Sequence, residues 1–236
     1  MTDTNSSGGS GPVVDPDTYG LLLLELYEGR DAHEIMERSD GLIYVGDGAD
    51  YFHGRDLWPA AEQAAIDLAR GRVLDIGCGA GRVALELQSA GCEVVAIDES
   101  PSAVEVSRQR GVRDARTQRW QDLSAQLGTF DTIVLARNNF GLLGDKSAIP
   151  TALRALAEIT TDAGALISDS VAPSRGGDTS DDFRYRVRHG SRTTTWFRYL
   201  MFEPEDLPAL TAGTGWAPAE VFDTGEPRWN FVLRRL

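Results

Sequence analysis

Two carboxylates, one leading a glycine-rich run and one closing the apolar run after it, are the groups in this 236-residue chain best placed to hold a ligand. Asp75 opens the segment Asp75-Ile76-Gly77-Cys78-Gly79-Ala80-Gly81-Arg82, and Asp98 follows the apolar residues Val94 to Ile97. Gly77, Gly79 and Gly81 let the backbone turn sharply and approach a ligand closely. Val83, Ala84, Leu85 and Leu87 then start a helix whose N-terminus offers unpaired N–H groups. An acid at the end of the next strand is placed to accept hydrogen bonds from both hydroxyls of a ribose. Together these residues describe a nucleoside-binding α/β unit.

The elements that must position them follow from hydrophobic periodicity. Val73, Leu74 and Ile76 suit a buried strand before the glycine run, and residues 93–97 a second. Pro101 stands in the first turn of the next helix, which stops at Gly111. A third strand falls within 115–120, where the alternation is poor. Residues 130–136 read as a central fourth strand, 149–159 as an amphipathic helix and 165–168 as a fifth strand behind Gly164. Strands and helices alternating at this spacing predict a mostly parallel, Rossmann-like doubly wound α/β sheet with helices on both faces.

The flanks differ in character. Residues 1–12 are rich in Ser, Gly, Thr and Asn and read as a disordered tail. Residues 13–70 read as an N-terminal helical or lid segment. Within it, Leu21, Leu22, Leu24 and Tyr27, then Ile35 and Met36, suggest helical pieces on either side of Gly29. Residues 40–54 read as loop or lid, and 58–70 as a helix ended by Gly71. Toward the C-terminus, Phe183, Tyr185 and Val187 alternate with Arg184, Arg186 and Arg188, so a hairpin is expected, with 193–202 returning antiparallel. A short helix over 204–210 and a last strand over 229–233 complete the reading.

The glycine spacing separates this chain from dinucleotide folds, which use G-x-G-x-x-G; here the third glycine comes one position earlier and Asp75 leads. In this respect the chain resembles the class I S-adenosylmethionine-dependent methyltransferases, whose first motif reads much like Leu74 to Gly81. The resemblance runs from about Ala60 to Gly144 and weakens toward the C-terminus. It implies a cofactor-binding domain over 71–236, a sheet of about seven strands with an antiparallel edge strand, and S-adenosyl-L-methionine as cofactor. By resemblance, Gly77 and Gly79, with Cys78 and Gly81 in the same turn, lie against its methionine part, and Asp75 helps hold its amino group. Asp98 would bind the ribose hydroxyls, and Glu99 or Ser100 would border the adenine. Asp122, with Leu123 beside it, resembles the family's acid near the adenine amino group; Gln121 is a rival, and capping a helix from Leu123 is the alternative role for Asp122. The backbone around Arg137 and Asn138 would face the methionine amino group.

Methyl transfer from a sulfonium is an in-line displacement with an activated leaving group, so alignment and water exclusion are the chief tasks. A base is needed only where the acceptor must lose a proton. His53 is the base candidate, against an ordinary polar role in the Tyr51-Phe52-His53 stretch. Asn139, after the fourth strand, either orients an acceptor or forms a turn. That stretch lacks both prolines carried there by some amino-group methyltransferases. Tyr51, Arg186, Trp196 and Arg198 are further candidate acceptor contacts. The arginine row 184, 186 and 188 either clamps an anionic group or forms the solvated face of an edge hairpin. His189, at the expected hairpin tip, reads as solvated.

Composition narrows the partners. A net charge of −13 argues against nucleic acid and against an anionic membrane surface. The two cysteines, Cys78 and Cys92, suggest neither a disulfide framework nor a thiolate metal site. No histidine and acid group has metal-ligand spacing, so a metal-independent reaction is expected. With no secretory pattern and no long apolar run, a cytoplasmic location is expected. The expected function is methyl transfer to a small molecule, a metabolite or natural product, by a monomer or homodimer. The alternatives are a non-catalytic cofactor-binding sensor or partner subunit, and a nicotinamide-dependent oxidoreductase. Asp75, the shifted glycine and the lack of a Tyr-x-x-x-Lys pair oppose the last.

Overall fold

The computed structural model describes residues 12–176 and 183–236; apart from Pro12, the expected N-terminal tail lies outside the described residues. In chain order, β1 (Val13–Val14), α1 (Thr18–Tyr27), β2 (Glu34–Arg38), β3 (Ile43–Gly46) and α2 (Ala60–Ile66) precede the glycine run. Then come β4 (Arg72–Ile76), α3 (Arg82–Ser89), β5 (Glu93–Asp98), α4 (Pro101–Gln109), β6 (Ala115–Thr117) and β7 (Phe130–Leu135). The remaining elements are α5 (Ile149–Glu158), β8 (Thr160–Val171), α6 (Pro173–Gly176), β9 (Arg184–His189), β10 (Arg192–Thr193) and β11 (Phe197–Arg198). They are followed by α7 (Leu207–Thr211), β12 (Trp216–Phe222) and β13 (Arg228–Arg235).

Seven strands form one sheet in the order β12-β13-β8-β7-β4-β5-β6. β4 runs parallel to both β5 and β7, β5 to β6 and β7 to β8, whereas β13 is antiparallel to β8 and β12. The fold expected from sequence is present, and its antiparallel strand sits one position in from the edge. Chain order reverses between β4 and β7, which opens a crevice beyond their carboxyl ends.

Alternation along the strands divides the core between the two faces. Leu74, Ile76, Ile133, Leu135, Phe231 and Leu233 point to the side covered by α5 and α7, where Trp216, Trp229, Phe140 and Phe202 complete an aromatic cluster. Val73, Val134 and Val232 point to the other side, against α2, α3 and α4. Burying each large apolar side chain contributes about 1.5–3 kcal/mol, so this two-sided core fixes β4 and β7 firmly.

A second sheet, β1-β10-β9-β2-β3 with β11 also paired to β9, stands over the crevice as a lid. Ile35 and Met36, expected in a helical piece, lie instead in β2, hydrogen-bonded between β3 and β9. Pairing on both sides outweighs the modest helix preference of Glu and Met there. The expected loop over 40–54 contains β3 and a 3₁₀ turn, Gly48–Phe52. The expected return strand is split into β10 and β11, between which Thr194 Oγ1 accepts the Val187 N–H at 3.0 Å. The lid is thus not confined to residues 13–70: β9 to β11 come from the C-terminal third.

α1 joins lid to body. Leu23 packs with Ala80, Ala103 and Val106. Asp17 accepts hydrogen bonds from the Ser100 hydroxyl and, at 2.6 Å, from the Ser102 hydroxyl at the start of α4. A Cβ on Gly20 would overlap the Ser100 hydroxyl, so this close crossing requires glycine.

Candidate active site

A cleft of about 560 Å³ runs along the carboxyl ends of β4, β5 and β7 and under the lid. The turn after β4 forms its floor. Gly77, Gly79 and Gly81 all have positive φ, at 73°, 53° and 78°. The Gly77 and Cys78 N–H groups donate to the Ile97 carbonyl at 2.8 and 3.0 Å, which folds the turn onto β5. The three glycines do different things. A Cβ on Gly77 would strike the Asn139 amide, and one on Gly81 would lie 2.6 Å from Val112 Cγ2. At Gly79 the nearest atom would be the Tyr19 hydroxyl at 3.5 Å, leaving room above the turn.

Asp98 closes the floor. Its Oδ2 accepts the Gly79 N–H and its Oδ1 the Ser100 N–H, each at 2.9 Å. Burial pushes its carboxyl up to about 6, against those two N–H groups, with Glu99 and Asp17 adding to the rise. Asp75 is 2 % exposed, and its Oδ2 is buried with no hydrogen-bond partner among the described residues. Burial pushes Asp75 up to about 7; Arg82 opposes the rise and Asp98 adds to it. Arg82 is committed to Glu62 and stacks 4.2 Å over the Trp58 ring.

The expected residues separate into those in the cleft and those behind it. Asp75, Gly77, Cys78, Gly79, Asp98 and Glu99 line it, as do Ser100, Gln121, Arg137, Asn139, Tyr51 and Arg198. Asn139 donates to the carbonyls of Ile76 at 3.1 Å and Gly77 at 2.8 Å, clamping the glycine turn. Gly81 sits behind the turn. Asn138 is buried at φ 61°, giving its N–H to Asp169 and its amide to the Leu200 carbonyl at 3.1 Å. Asp122 ends a 3₁₀ turn, Trp120–Asp122, with no helix starting at Leu123, and Leu123 packs at the edge of the core.

Three expected contacts, His53, Arg186 and Trp196, lie outside the cleft lining. His53 lies outside the cleft lining, with Nδ1 3.4 Å from Asp50. Arg186 and Arg188 both bind Glu37 on the outer face of the lid, and Arg186 stacks 4.5 Å over the Trp196 ring. Arg186 and Arg188 of the row therefore clamp a carboxylate of their own chain. His189 is not solvated: its Nε2 is 3.0 Å from Glu25 of α1, and its side chain is 11 % exposed.

Sequence reasoning missed Tyr19, Glu34, Met36, Val187 and Phe197, which complete the cleft walls. The alternation of β9 already placed Val187 with Tyr185 on one face. Nothing local marked Glu34, because its site exists only once β2 pairs with β9. Tyr51 donates to Glu34 Oε2 at 2.9 Å, and Tyr199 donates to the Arg137 carbonyl at 2.9 Å. Burial pushes the Tyr199 hydroxyl up to about 12, with Arg228 opposing.

The chain's own residues fit an adenosyl sulfonium. The orphaned Asp75 oxygen suits an ammonium, Asp98 can accept from ribose hydroxyls, and the space above Gly79 admits close backbone approach. Among the described residues, no three His, Cys, Asp or Glu side chains are grouped to hold a metal ion, and no helix is long and apolar enough to cross a membrane.

Residues 73–164 match the family described as a methyltransferase domain. A ubiquinone biosynthesis O-methyltransferase of Xanthomonas oryzae pv. oryzae is 42% identical over 76 residues, covering 30% of this chain and 32% of that protein. The match thus spans about a third of the length of such curated relatives. A SAM-dependent methyltransferase from Bacteroides fragilis, solved with S-adenosyl-L-homocysteine, is 27% identical with a TM-score of 0.82, over 96% of this chain and 98% of that one. The CcbJ methyltransferase from Streptomyces caelestis shares the fold at 17% identity, with a TM-score of 0.64, over 94% and 99% of the two chains. Over residues 73–164 the chain thus matches a methyltransferase domain, and along nearly its whole length it is similar to a SAM-dependent methyltransferase.

Proposed function

We propose that this chain transfers a methyl group from S-adenosylmethionine to a small-molecule acceptor held between the lid sheet and the ends of β4 and β7. One observation carries the reading: a single cleft extends from Asp98 and the glycine turn to the lid walls Glu34, Met36, Tyr51 and Phe197. When bound, the sulfonium supplies an activated methyl group and a neutral thioether leaving group. Asp98 accepts the ribose hydroxyls, Asp75 faces the amino group, and Gln121 borders the adenine. Asn139 holds the carbonyls of Ile76 and Gly77 so that the turn keeps one shape. Met36, Val187 and Phe197 cover the acceptor side and exclude water.

The enclosed cleft and the net charge of −13 favour a small acceptor over a nucleic acid. His53, outside the lining and beside Asp50, is not assigned a part in the transfer. The test is calorimetry with S-adenosylhomocysteine. Asp98→Ala is expected to weaken binding by at least about tenfold, the loss of hydrogen bonds to a charged group being worth about 1.5–3 kcal/mol. Thermal unfolding shows whether the fold survives. Unchanged affinity in a folded variant overturns the assignment.

A further inference from the structure

Among the described residues the lid contributes one acid to the cleft, and its chemistry narrows the acceptor. β2 alternates: Glu34 and Met36 face the cleft, whereas Glu37 faces outward to Arg186 and Arg188. Glu34 Oε2 takes the Tyr51 hydroxyl at 2.9 Å, while Oε1 has no donor among the described residues. The Tyr51 ring meets the Tyr19 ring edge-on at 5.5 Å, and the Tyr19 hydroxyl lies over Gly79. A line of aromatic hydroxyls therefore leads from the glycine turn to Glu34.

Charge around this corner is unbalanced. Arg137 is the nearby cation, 5.5 Å over the Tyr51 ring, but its guanidinium reaches Asp50 at 3.4 Å. With that pair neutral, Glu34 is left as a net negative charge beside the cleft. Burial raises its carboxyl above the usual range, while the Tyr51 hydroxyl and Arg137 favour the ionised form. A carboxylate so placed repels an anionic acceptor and attracts a cation or a group becoming one, and the tyrosine faces add to that attraction.

We propose that the Glu34 carboxylate, anchored by Tyr51, binds a basic nitrogen of the acceptor, so that the chain methylates an amine. The inference rests on the methyl-transfer reading above and names the acceptor class for the same cleft. The chemistry balances without a further reagent. The bound ammonium first gives up one proton to water; the freed lone pair then forms the new N–C bond as the S–C bond breaks with its electrons left on sulfur, and one positive charge passes from sulfur to nitrogen. Glu34 lies on the side where that charge arrives, so its attraction grows along the reaction. A carboxylate acceptor would have to approach as an anion, against Glu34.

The test loads the protein with S-adenosylhomocysteine and titrates benzylammonium, piperidinium and glucosamine beside benzyl alcohol, benzoate and glucose. The ammonium probes are expected to bind and their neutral and anionic counterparts not to. Glu34→Gln should weaken ammonium binding by at least about tenfold while leaving affinity for S-adenosylhomocysteine unchanged. Tyr51→Phe, which leaves the carboxylate in place without its anchor, should give a smaller loss. Equal binding of the ammonium probes by wild type and Glu34→Gln overturns the proposal, as does binding of benzoate or the alcohols alone, or of no ammonium probe. Wild type that fails to bind S-adenosylhomocysteine instead overturns the cofactor reading itself, and this inference with it.

Discussion

Asp75 and Asp98 carry opposite demands. Both carboxyls are buried, and both are pushed up, to about 7 and about 6. An acid whose folded value exceeds its unfolded one destabilises the fold when ionised. The unliganded protein should therefore lose stability as pH rises from the ordinary carboxylate range through 6 and 7, with the cost complete above that window. Every tenfold change in proton affinity is worth about 1.4 kcal/mol, so ionised Asp75 alone costs at most about 4 kcal/mol at pH 8. A bound ammonium reverses the preference, because it favours the ionised form. Binding of S-adenosylhomocysteine near pH 7 should thus release about half a proton from Asp75. Calorimetry in buffers of different ionisation enthalpy reads this directly, and affinity should fall several-fold between about pH 8 and pH 6. Asp75→Asn should abolish the proton release and raise the melting temperature of the unliganded protein at pH 8. Heats independent of buffer would refute the assignment of Asp75 to the amino group.

Elements differ in how openly the sequence declares them. The run from β4 through α3 to β5 is legible because each part is local: a buried strand, three glycines at positive φ, an amphipathic helix and a terminal acid. β9 is legible for the same reason, since Tyr185 and Val187 alternate with arginines. β2 is not, because Ile35 and Met36 are held as a strand not by β3 alone but also by partners about 150 positions away in β9. β12 is hidden as well. Its Pro218 and Glu220 interrupt any apolar alternation, and its register shifts at that point against β13. Glu37 shows what long-range pairing adds. It is the common counter-ion of Arg186 and Arg188 across the β2–β9 ladder, so Glu37→Ala leaves two arginines adjacent on one face. The expected cost is about 1 kcal/mol in thermal or denaturant unfolding. Affinity for S-adenosylhomocysteine should be retained and ammonium binding weakened, because β2 also carries Glu34. Loss of S-adenosylhomocysteine binding in that variant would show that the lid sheet serves the cofactor rather than the acceptor.

At the scale of the whole molecule, the two sheets are held by very different forces. The seven-stranded sheet is buried on both faces by helices and a continuous aromatic core, whereas the lid sheet exposes Ile43 and Val45 at 57 % and 68 % along its edge strand. The lid is joined to the body through the small apolar cluster around Leu23 of α1 and through polar contacts. Asp17 takes the Ser100 and Ser102 hydroxyls, Tyr199 donates to the Arg137 carbonyl, and Arg137 reaches Asp50. Local opening free energies follow buried apolar contact, so the lid should open well before the core unfolds. Amides of β2, β3 and β9 are therefore expected to exchange with deuterium faster than those of β4, β7 and β8 in the free protein. Ligand coupling then has a defined route, because Tyr19 of α1 lies over Gly79 while Asp17 grips Ser100, two residues past Asp98. Saturating S-adenosylhomocysteine should slow exchange along α1 first and along β2 and β9 with it, leaving β12 and β13 unchanged. Protection confined to the glycine turn and β5 would mean that the lid closes on the acceptor alone. Protection spread evenly over β12 and β13 would mean that the two sheets open as one unit, against this division of forces.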